Sequence, residues 1–123
     1  MRNSLALFSL AIALLSAAGT SFAHHGAAAF ETSKTITMKA TVTDWFWANP
    51  HCFVKFDYKN DKGELEHWVV ETSNPPDMTN KGWTIHTLKQ GDEVTVTVYP
   101  VKNGKTVGRL ITIQLPNGQT LRN

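Results

Sequence analysis

Apolar and polar residues alternate with a period of two along most of the chain after residue 35. In the first such stretch, apolar side chains occupy every second position from 36 to 42, and threonines and a lysine lie between them. Val94, Val96 and Val98 repeat the pattern farther along the chain. A period of two in segments rich in β-branched residues predicts half-buried strands, so we expect both stretches to bury one face.

The first alternation is interrupted at Asp44, and we expect a bend or a bulge near Asp44–Phe46. Trp45 and Trp47 stand two positions apart, so they share one face of the strand. When the alternation is counted through the break, that face is opposite to Val42 and Phe46. We therefore expect at least one of the two indole rings to be exposed.

Pro50 cannot donate a hydrogen bond to a sheet, so the first strand is expected to end or turn there. A second strand is expected over residues 51–58, with Cys52 on its apolar face and His51 on the other. These adjacent side chains should therefore point apart. The polar, glycine-containing loop at 59–63 predicts a hairpin into a third strand.

Breaks in the second half of the chain define the remaining elements. Asn-Pro-Pro-Asp at 74–77 stops the sheet, and one or two short helical turns are expected within residues 76–90. Asn-Gly at 103–104 predicts a hairpin, and strands are expected at 107–115 and 120–121. Three strands, a short helical segment and further strands are the order of an OB-like barrel, an all-β fold. A two-sheet β-sandwich has the same number of strands and is the alternative.

The first residues are typical of a targeting segment. Arg2 provides a positive charge, residues 5–18 form an apolar run, and Ser-Phe-Ala at 21–23 fits a peptidase cleavage site. The run is shorter than the about 20 apolar residues that span a membrane, which argues against an uncleaved anchor. We therefore expect a secretory signal peptide at 1–23 and export to the periplasm, without stable membrane insertion after cleavage.

The chain that remains after cleavage is long enough for one small domain. We expect an N-terminal arm at 24–34 and a single barrel-like domain at 35–123. Charged residues are scattered without a basic block, which argues against a nucleic-acid partner. Cys52 is the only cysteine, so no internal disulfide can form, and we expect its thiol to be buried.

The histidines at the predicted start of the mature chain are candidate ligands for a metal ion. Cleavage after Ala23 would give His24 a free α-amine beside its own imidazole, and these two nitrogens can chelate one ion. His51 is the natural third ligand; alternatively, it is a structural histidine that stabilises the turn after Pro50. Nitrogen-rich tetragonal ligation suits Cu(II), so the expected cofactor is copper.

His25 offers a rival copper site made of the α-amine, a deprotonated backbone amide and its own imidazole, and a frayed, solvated terminus is the alternative to both. A blue-copper centre is not expected, because His51 and Cys52 should point apart. His67 and His86 are expected to be surface or structural histidines. The metal interpretation predicts a carrier, a chaperone or a sensor.

A second interpretation is a binding module without a metal. Trp45, Trp47 and Asn49 would then form a surface for a small ligand, a glycan or a partner protein, although tryptophans also fill barrel cores. No spacing of carboxylates, serines or cysteines indicates an acid–base pair or an activated nucleophile, so catalysis has little support. A copper-dependent oxidase is a third hypothesis, which the N-terminal histidine alone favours.

Four motifs carry a resemblance to a known family. They are His-His-Gly at 24–26, Trp-Ala-Asn-Pro-His at 47–51, Trp-Val-Val-Glu at 68–71 and Leu-Lys-Gln-Gly-Asp at 88–92. The chain resembles the small exported bacterial proteins of unknown function whose mature chains open with His-His-Gly and carry Asn-Pro-His. The resemblance covers nearly all of the mature chain. It implies a periplasmic, β-rich single domain and assigns no catalytic residue.

Overall fold

The computed structural model describes residues 26–123, so the predicted leader and both His24 and His25 lie outside the described residues. A 3₁₀ turn, Ala27–Ala29, precedes the sheet. The other elements follow in the order β1 Ile36–Phe46, β2 Phe53–Lys59, β3 Leu65–Glu71, α1 Pro75–Asn80, β4 Glu93–Pro100, β5 Val107–Gln114 and β6 Thr120–Arg122. The alternating stretches are strands, as predicted, and the expected short helix begins one residue before the predicted range.

The strands form a closed barrel. Hydrogen bonds connect them in the order β3-β2-β1-β4-β5-β6, with antiparallel neighbours. A parallel pairing of β3 with β5 then closes a five-stranded barrel, and β6 pairs with β5 at its side. The predicted OB-like barrel is confirmed, and the chain does not form the alternative two-sheet sandwich.

Every second side chain of the strands faces the barrel interior. Val94, Val96 and Val98 of β4 are at most 5% exposed, which confirms their predicted inward face. β2 contributes Val54 and Phe56 to the same core. Burying an apolar side chain of this size stabilises the fold by about 1.5 to 3 kcal/mol, so the shared interior holds the barrel together.

The one α-helix of the described residues, α1, adds a buried side chain to this core. Asn74 caps it, because the Asn74 side chain accepts a hydrogen bond from the Asp77 backbone N–H at 2.9 Å. Met78 within the helix and Trp83 just after it are fully buried. The Trp83 indole N–H donates to the Arg122 carbonyl at 2.8 Å, which satisfies the buried nitrogen. Within residues 26–123, no helix combines the length and the apolar character needed to cross a membrane.

The break predicted in β1 is a bulge. The pairing of β1 with β2 shifts register between Val42 and Asp44, so Thr43 is an extra residue in β1. Beyond the bulge, Trp45 lies directly opposite Val54, a fully buried residue of β2. The second half of β1 therefore presents its odd-numbered side chains to the interior.

The expectation that Trp45 and Trp47 lie on the face opposite to Val42 is wrong. Both indole rings are half-buried and pack against the core, whereas Phe46 is 40% exposed on the outer surface. The reason is the bulge, since one inserted residue reverses the alternation of faces. The sequence pattern indicated a bulge near this point, but the predicted faces assumed that every residue of β1, including Thr43, has a partner on β2.

The described part of the N-terminal arm is tied to the end of β4. Phe30 is 2% exposed and forms an antiparallel bridge with Val101, and the Lys102 N–H donates to the Ala29 carbonyl at 3.0 Å. The Val101 N–H in turn donates to the Val107 carbonyl at 3.0 Å. The arm therefore joins the barrel close to β5, the strand that closes it.

Candidate functional site

Hydrogen bonds join the β1–β2 loop to the chain just after β3. The Cys52 N–H donates to the Ser73 carbonyl at 3.0 Å, and the Thr72 N–H donates to the Cys52 carbonyl at 2.9 Å. This extended pairing keeps the alternation of faces, so Cys52 is fully buried while 29% of the His51 side chain is exposed. The two side chains point apart, as the sequence predicted.

On the outer surface, His51 lies beside a buried carboxylate. His51 Nδ1 is 2.8 Å from Glu71 Oε1, and Arg109 Nη1 donates to the same oxygen at 3.3 Å. The Glu71 side chain is only 5% exposed, whereas 33% of the Arg109 side chain is exposed. We call these three residues the His51 cluster.

Three separate segments of the chain supply the His51 cluster. His51 comes from the β1–β2 loop, and Glu71 is the last residue of β3. Arg109 is the partner of Glu71 in the parallel β3–β5 pairing, and Phe53 is its partner in the antiparallel β2–β3 pairing. The carboxylate thus stands where the barrel closes, covered by side chains from both neighbouring strands.

The chemistry of the His51 cluster follows from the burial of Glu71. A buried carboxylate is costly unless it is paired, and here an arginine and a histidine are its partners. The His51 Nδ1 atom is itself buried, so the exposed part of the side chain consists of its other atoms. A carboxylate beside Nδ1 is also found at many histidines that bind metals through Nε2.

Comparison with known proteins places the chain in a family. Residues 11–110 match DUF6152, a family of unknown function. The chain belongs to DUF6152. No curated protein matches the chain, and no solved structure matches it either. The DUF6152 match includes His51, Glu71 and Arg109, so the whole His51 cluster lies within the part of the chain that defines the family.

The predicted metal ligands lie only partly within the described residues of this DUF6152 protein. His51 is described, and its contact with Glu71 fits a metal-binding histidine, but His24 and His25 lie outside the described residues. Among residues 26–123, no group of three or more His, Cys, Asp or Glu side chains is placed to hold a metal ion.

Cys52 does not share the site of its neighbour. It is fully buried, and burial raises the pKa of the Cys52 thiol, although a weak contact with the Ala48 carbonyl at 3.8 Å acts in the opposite direction. A protonated thiol in the core is a poor metal ligand, since the thiolate is the form that binds. The geometry agrees with the expectation that His51 and Cys52 do not share one ion.

The other two described histidines have surface environments. The His67 side chain is 77% exposed, and its Nδ1 lies 2.6 Å from Asp57 Oδ1 on the neighbouring strand. His86 is also exposed, and its backbone N–H donates to the Thr84 hydroxyl at 3.1 Å. Both therefore have the surface positions that the sequence predicted.

The predicted ligand-binding tryptophans form an aromatic group with Trp83. Trp45 lies 5.5 Å from Trp83 and 5.9 Å from Trp47 between ring centroids, and its indole N–H donates to the Thr84 carbonyl at 3.3 Å. Asn49 is exposed in the β1–β2 loop. The two indoles are thus held by the core and offer partial surfaces rather than an open aromatic platform.

An apolar groove of about 290 Å³ lies on the outer face of β1, β2 and β3. Its lining is formed by Phe46, Ala48, Phe53, Lys55 and Val69. The Lys55 ammonium stands 4.9 Å from the centre of the Phe46 ring, a cation–π contact. Because Phe53 is the strand partner of Glu71, the groove adjoins the His51 cluster.

Sequence reasoning missed three parts of this surface: Glu71 and Arg109 as partners of His51, and Phe46 as an outward aromatic. One signal for Glu71 was present, since a carboxylate that directly follows the apolar Trp-Val-Val run at 68–70 needs a partner if the strand is buried there. Nothing local in the sequence pointed to Arg109, because it reaches Glu71 through the pairing of β3 with β5.

Proposed function

We propose that this DUF6152 protein is an exported metal-binding protein that uses His51 as a ligand for copper. In this proposal His24 contributes its α-amine and imidazole, His25 lies close by, and the protein serves as a carrier, a chaperone or a sensor. The observation that carries the proposal is the 2.8 Å contact between His51 Nδ1 and the buried Glu71 carboxylate.

The contact supports metal binding because of the form of imidazole that it favours. A carboxylate beside Nδ1 favours the neutral tautomer with its proton on Nδ1 and its lone pair on Nε2, the atom that then binds a metal. Arg109 gives the same carboxylate a positively charged partner, so the burial of Glu71 is compensated even when His51 is neutral. His51 can therefore bind a cation without leaving Glu71 as an unpaired buried charge.

The N-terminal segment supplies the donors that the described residues lack. A free α-amine next to an imidazole is a chelating pair that suits Cu(II). His24 stands six residues before Phe30, and six extended residues span at most about 20 Å. Neighbouring strands are about 4.8 Å apart, so a segment of that length is long enough to cross the end of β4 and then β5 and to reach the end of β3.

A second candidate function is a binding module without a metal. The apolar groove beside the His51 cluster favours it, because a concave apolar surface next to a few polar groups is typical of ligand sites. Asn49 borders this region through the β1–β2 loop, whereas Trp45 and Trp47 lie on the other side of the strand. The module would therefore use Phe46 and Phe53 together with Asn49.

Copper titration of correctly processed protein tests the proposal. The chain that begins at His24, verified by mass and N-terminal sequencing, should take up about one equivalent of Cu(II), with a paramagnetic resonance spectrum of several nitrogen ligands. His51→Ala should weaken binding by roughly 10- to 100-fold, as judged from the effect of disturbing supporting groups at metal sites. His67→Ala is the matched control, because His67 also contacts a carboxylate, and it should change nothing.

Two further variants separate the rival copper geometries. One extra residue ahead of His24 moves the α-amine away from the His24 imidazole, so it should weaken binding as much as His51→Ala. If the amine and His25 form the site instead, His51→Ala will be silent and His25→Ala will abolish binding. If no variant binds copper more tightly than an isolated surface histidine, the metal proposal fails and the apolar groove becomes the leading candidate.

A further inference from the structure

A second concave surface lies away from the His51 cluster, between the N-terminal arm, the β2–β3 hairpin and the β4–β5 loop. It is a cleft of about 560 Å³, within the size range of small-molecule sites. Lys34, Lys102 and Lys105 stand around it, and we call it the lysine cleft. It shares no residue with the His51 cluster, so it is independent of the proposed metal site.

The floor of the lysine cleft is apolar and rigid. Trp68 and Val101 are buried there, and Ile36 and Tyr58 are half-buried against the core. Trp68 stacks on Phe56 with ring centroids 6.3 Å apart and planes 3° from parallel, so the indole is held from below. A ligand with an apolar body would meet a surface that needs no rearrangement.

The two carboxylates of the cleft are already engaged by the protein. Glu66 accepts hydrogen bonds from Asn60 at 3.0 Å and from the Trp68 indole N–H at 2.8 Å, and these bonds lower the pKa of Glu66. Glu31 accepts from the Ser33 hydroxyl at 2.7 Å, and this bond is the main cause of its lowered pKa. Both acids are therefore ionised at neutral pH and oriented by neighbours on their own sides of the cleft.

The three lysines are less closely engaged, although the charges of Lys102 and Lys34 also contribute to the lowered pKa of Glu31. The ion pairs within residues 26–123 involve His51, His67 and Arg109, and none includes a lysine of the cleft. Two of the three ammonium groups, on Lys102 and Lys105, extend from the same β4–β5 loop. Each ammonium has three donors, so an anionic group placed beside this loop would have several hydrogen-bond donors close to it.

We propose that the lysine cleft binds a small organic anion, with its apolar body on Trp68 and Tyr58 and its anionic group at Lys102 and Lys105. An inorganic anion would leave the aromatic floor uncovered, and a neutral apolar molecule would gain nothing from the charges of the lysines. The fixed carboxylate of Glu66 repels an anion from its own side, and the charges of Lys34 and Lys102 offset that of Glu31, so the anionic group of the ligand is directed toward the β4–β5 loop.

Nuclear magnetic resonance of the Trp68 indole N–H provides a test at a single residue. The probes are 2-naphthoate and its neutral analogue 2-naphthalenemethanol, and Trp68→Phe assigns the signal. Naphthoate should shift the Trp68 signal and leave those of Trp45 and Trp83 in place, the alcohol should bind more weakly, and added salt should weaken only naphthoate.

The double variant Lys102→Gln/Lys105→Gln keeps the length of the side chains and removes their charge. Naphthoate should bind roughly five- to tenfold more weakly to it, the loss expected for two exposed ion pairs, while the alcohol should bind unchanged. Lys81→Gln/Lys89→Gln, two exposed lysines outside the cleft, is the control and should behave as the wild type.

Three results would overturn the proposal: equal affinity for naphthoate and the alcohol, equal naphthoate affinity in the two double variants, or a naphthoate shift at Trp45 instead of Trp68. None of these experiments measures copper binding. The proposal for the lysine cleft can therefore be wrong while the copper proposal is right, and the copper proposal can be wrong while this one is right.

Discussion

His51 and His67 each place Nδ1 close to a carboxylate, yet the two pairs differ in almost everything else. The distances are similar, 2.8 Å to Glu71 and 2.6 Å to Asp57. The Glu71 side chain is 5% exposed and also pairs with Arg109, whereas Asp57 is 31% exposed and its histidine 77%. Distance alone therefore says little about what such a pair contributes to stability or function.

The difference comes from the position of each pair in the barrel. Glu71 lies at the closure of the barrel, with Arg109 on β5 and Phe53 on β2 as its strand partners. Asp57 and His67 face each other within the β2–β3 hairpin, on the solvated side. Water screens the second pair and competes for its hydrogen bond, so that pair should contribute little to stability, whereas the burial of Glu71 makes the loss of its partners costly.

The largest expected difference between the two pairs is the loss of stability when each carboxylate is removed. Glu71→Ala removes the buried carboxylate to which Arg109 donates and beside which His51 Nδ1 lies, and it should lower the free energy of unfolding by about 2 to 3 kcal/mol. Asp57→Ala should stay within about 0.5 kcal/mol of the wild type, as surface substitutions usually do. Urea denaturation followed by tryptophan fluorescence measures both. Equal losses in the two variants would mean that the burial of Glu71 has no energetic consequence.

Replacing each carboxylate by an amide of the same shape should affect copper binding differently in the two pairs. Glu71→Gln keeps the shape of the side chain and removes its charge, so under the copper proposal Cu(II) affinity should fall by roughly tenfold, the effect of losing a supporting partner of a metal-bound histidine. Asp57→Asn is the matched control, and its affinity should equal that of the wild type. Calorimetry on processed chains gives both values, with thermal unfolding to confirm that each variant is folded. A silent Glu71→Gln would show that His51 does not depend on Glu71 for metal binding.

The smallest expected effect is a change in stability at alkaline pH caused by Cys52. This residue follows His51 in the chain, but its side chain faces the core instead of the outer surface. Burial raises the pKa of its thiol above the ordinary value of 9.0, so the unfolded chain ionises first as the pH rises. The stabilisation from the protonated thiol is complete below that value and is lost as the pH rises through the folded pKa. The unfolding free energy should therefore fall slightly at alkaline pH.

Cys52→Ala should remove this alkaline loss and leave the copper affinity unchanged. Denaturation curves at neutral and alkaline pH measure the first effect, and the copper titration measures the second. A thiolate-to-copper absorption band in the wild type, absent from the variant, would place the sulfur in the metal site and contradict the separation of the two side chains.

The strands could be predicted because their signal is local. The spacing of Val94, Val96 and Val98 is enough to predict that they share a buried face. The order of such segments along the chain then predicts the barrel. The faces of Trp45 and Trp47 could not be read in the same way. Their orientation depends on how β1 pairs with β2, and an Asp after a run of alternation shows that a bulge is near without showing which residue is extra.

The candidate site was predicted only to the extent that it is local. His51 stands out after Asn-Pro, and its separation from Cys52 follows from adjacency. Glu71 and Arg109 are 38 residues apart and meet through a parallel pairing that no short-range pattern encodes. The lysine cleft has the same origin, since the arm, one hairpin and one loop meet there only after the barrel has closed.

The extra residue in β1 changes which alternate positions of the strand face the barrel interior. Before Thr43 the even-numbered positions of the strand face the interior, and after it the odd-numbered positions do. The two halves of this one strand therefore bury opposite sets of alternate positions. As a result, Trp45 faces inward and packs against Trp83, and Phe46 faces outward and lines the groove beside His51. An insertion or deletion of a single residue in this segment would exchange those two aromatic surfaces without changing any side chain.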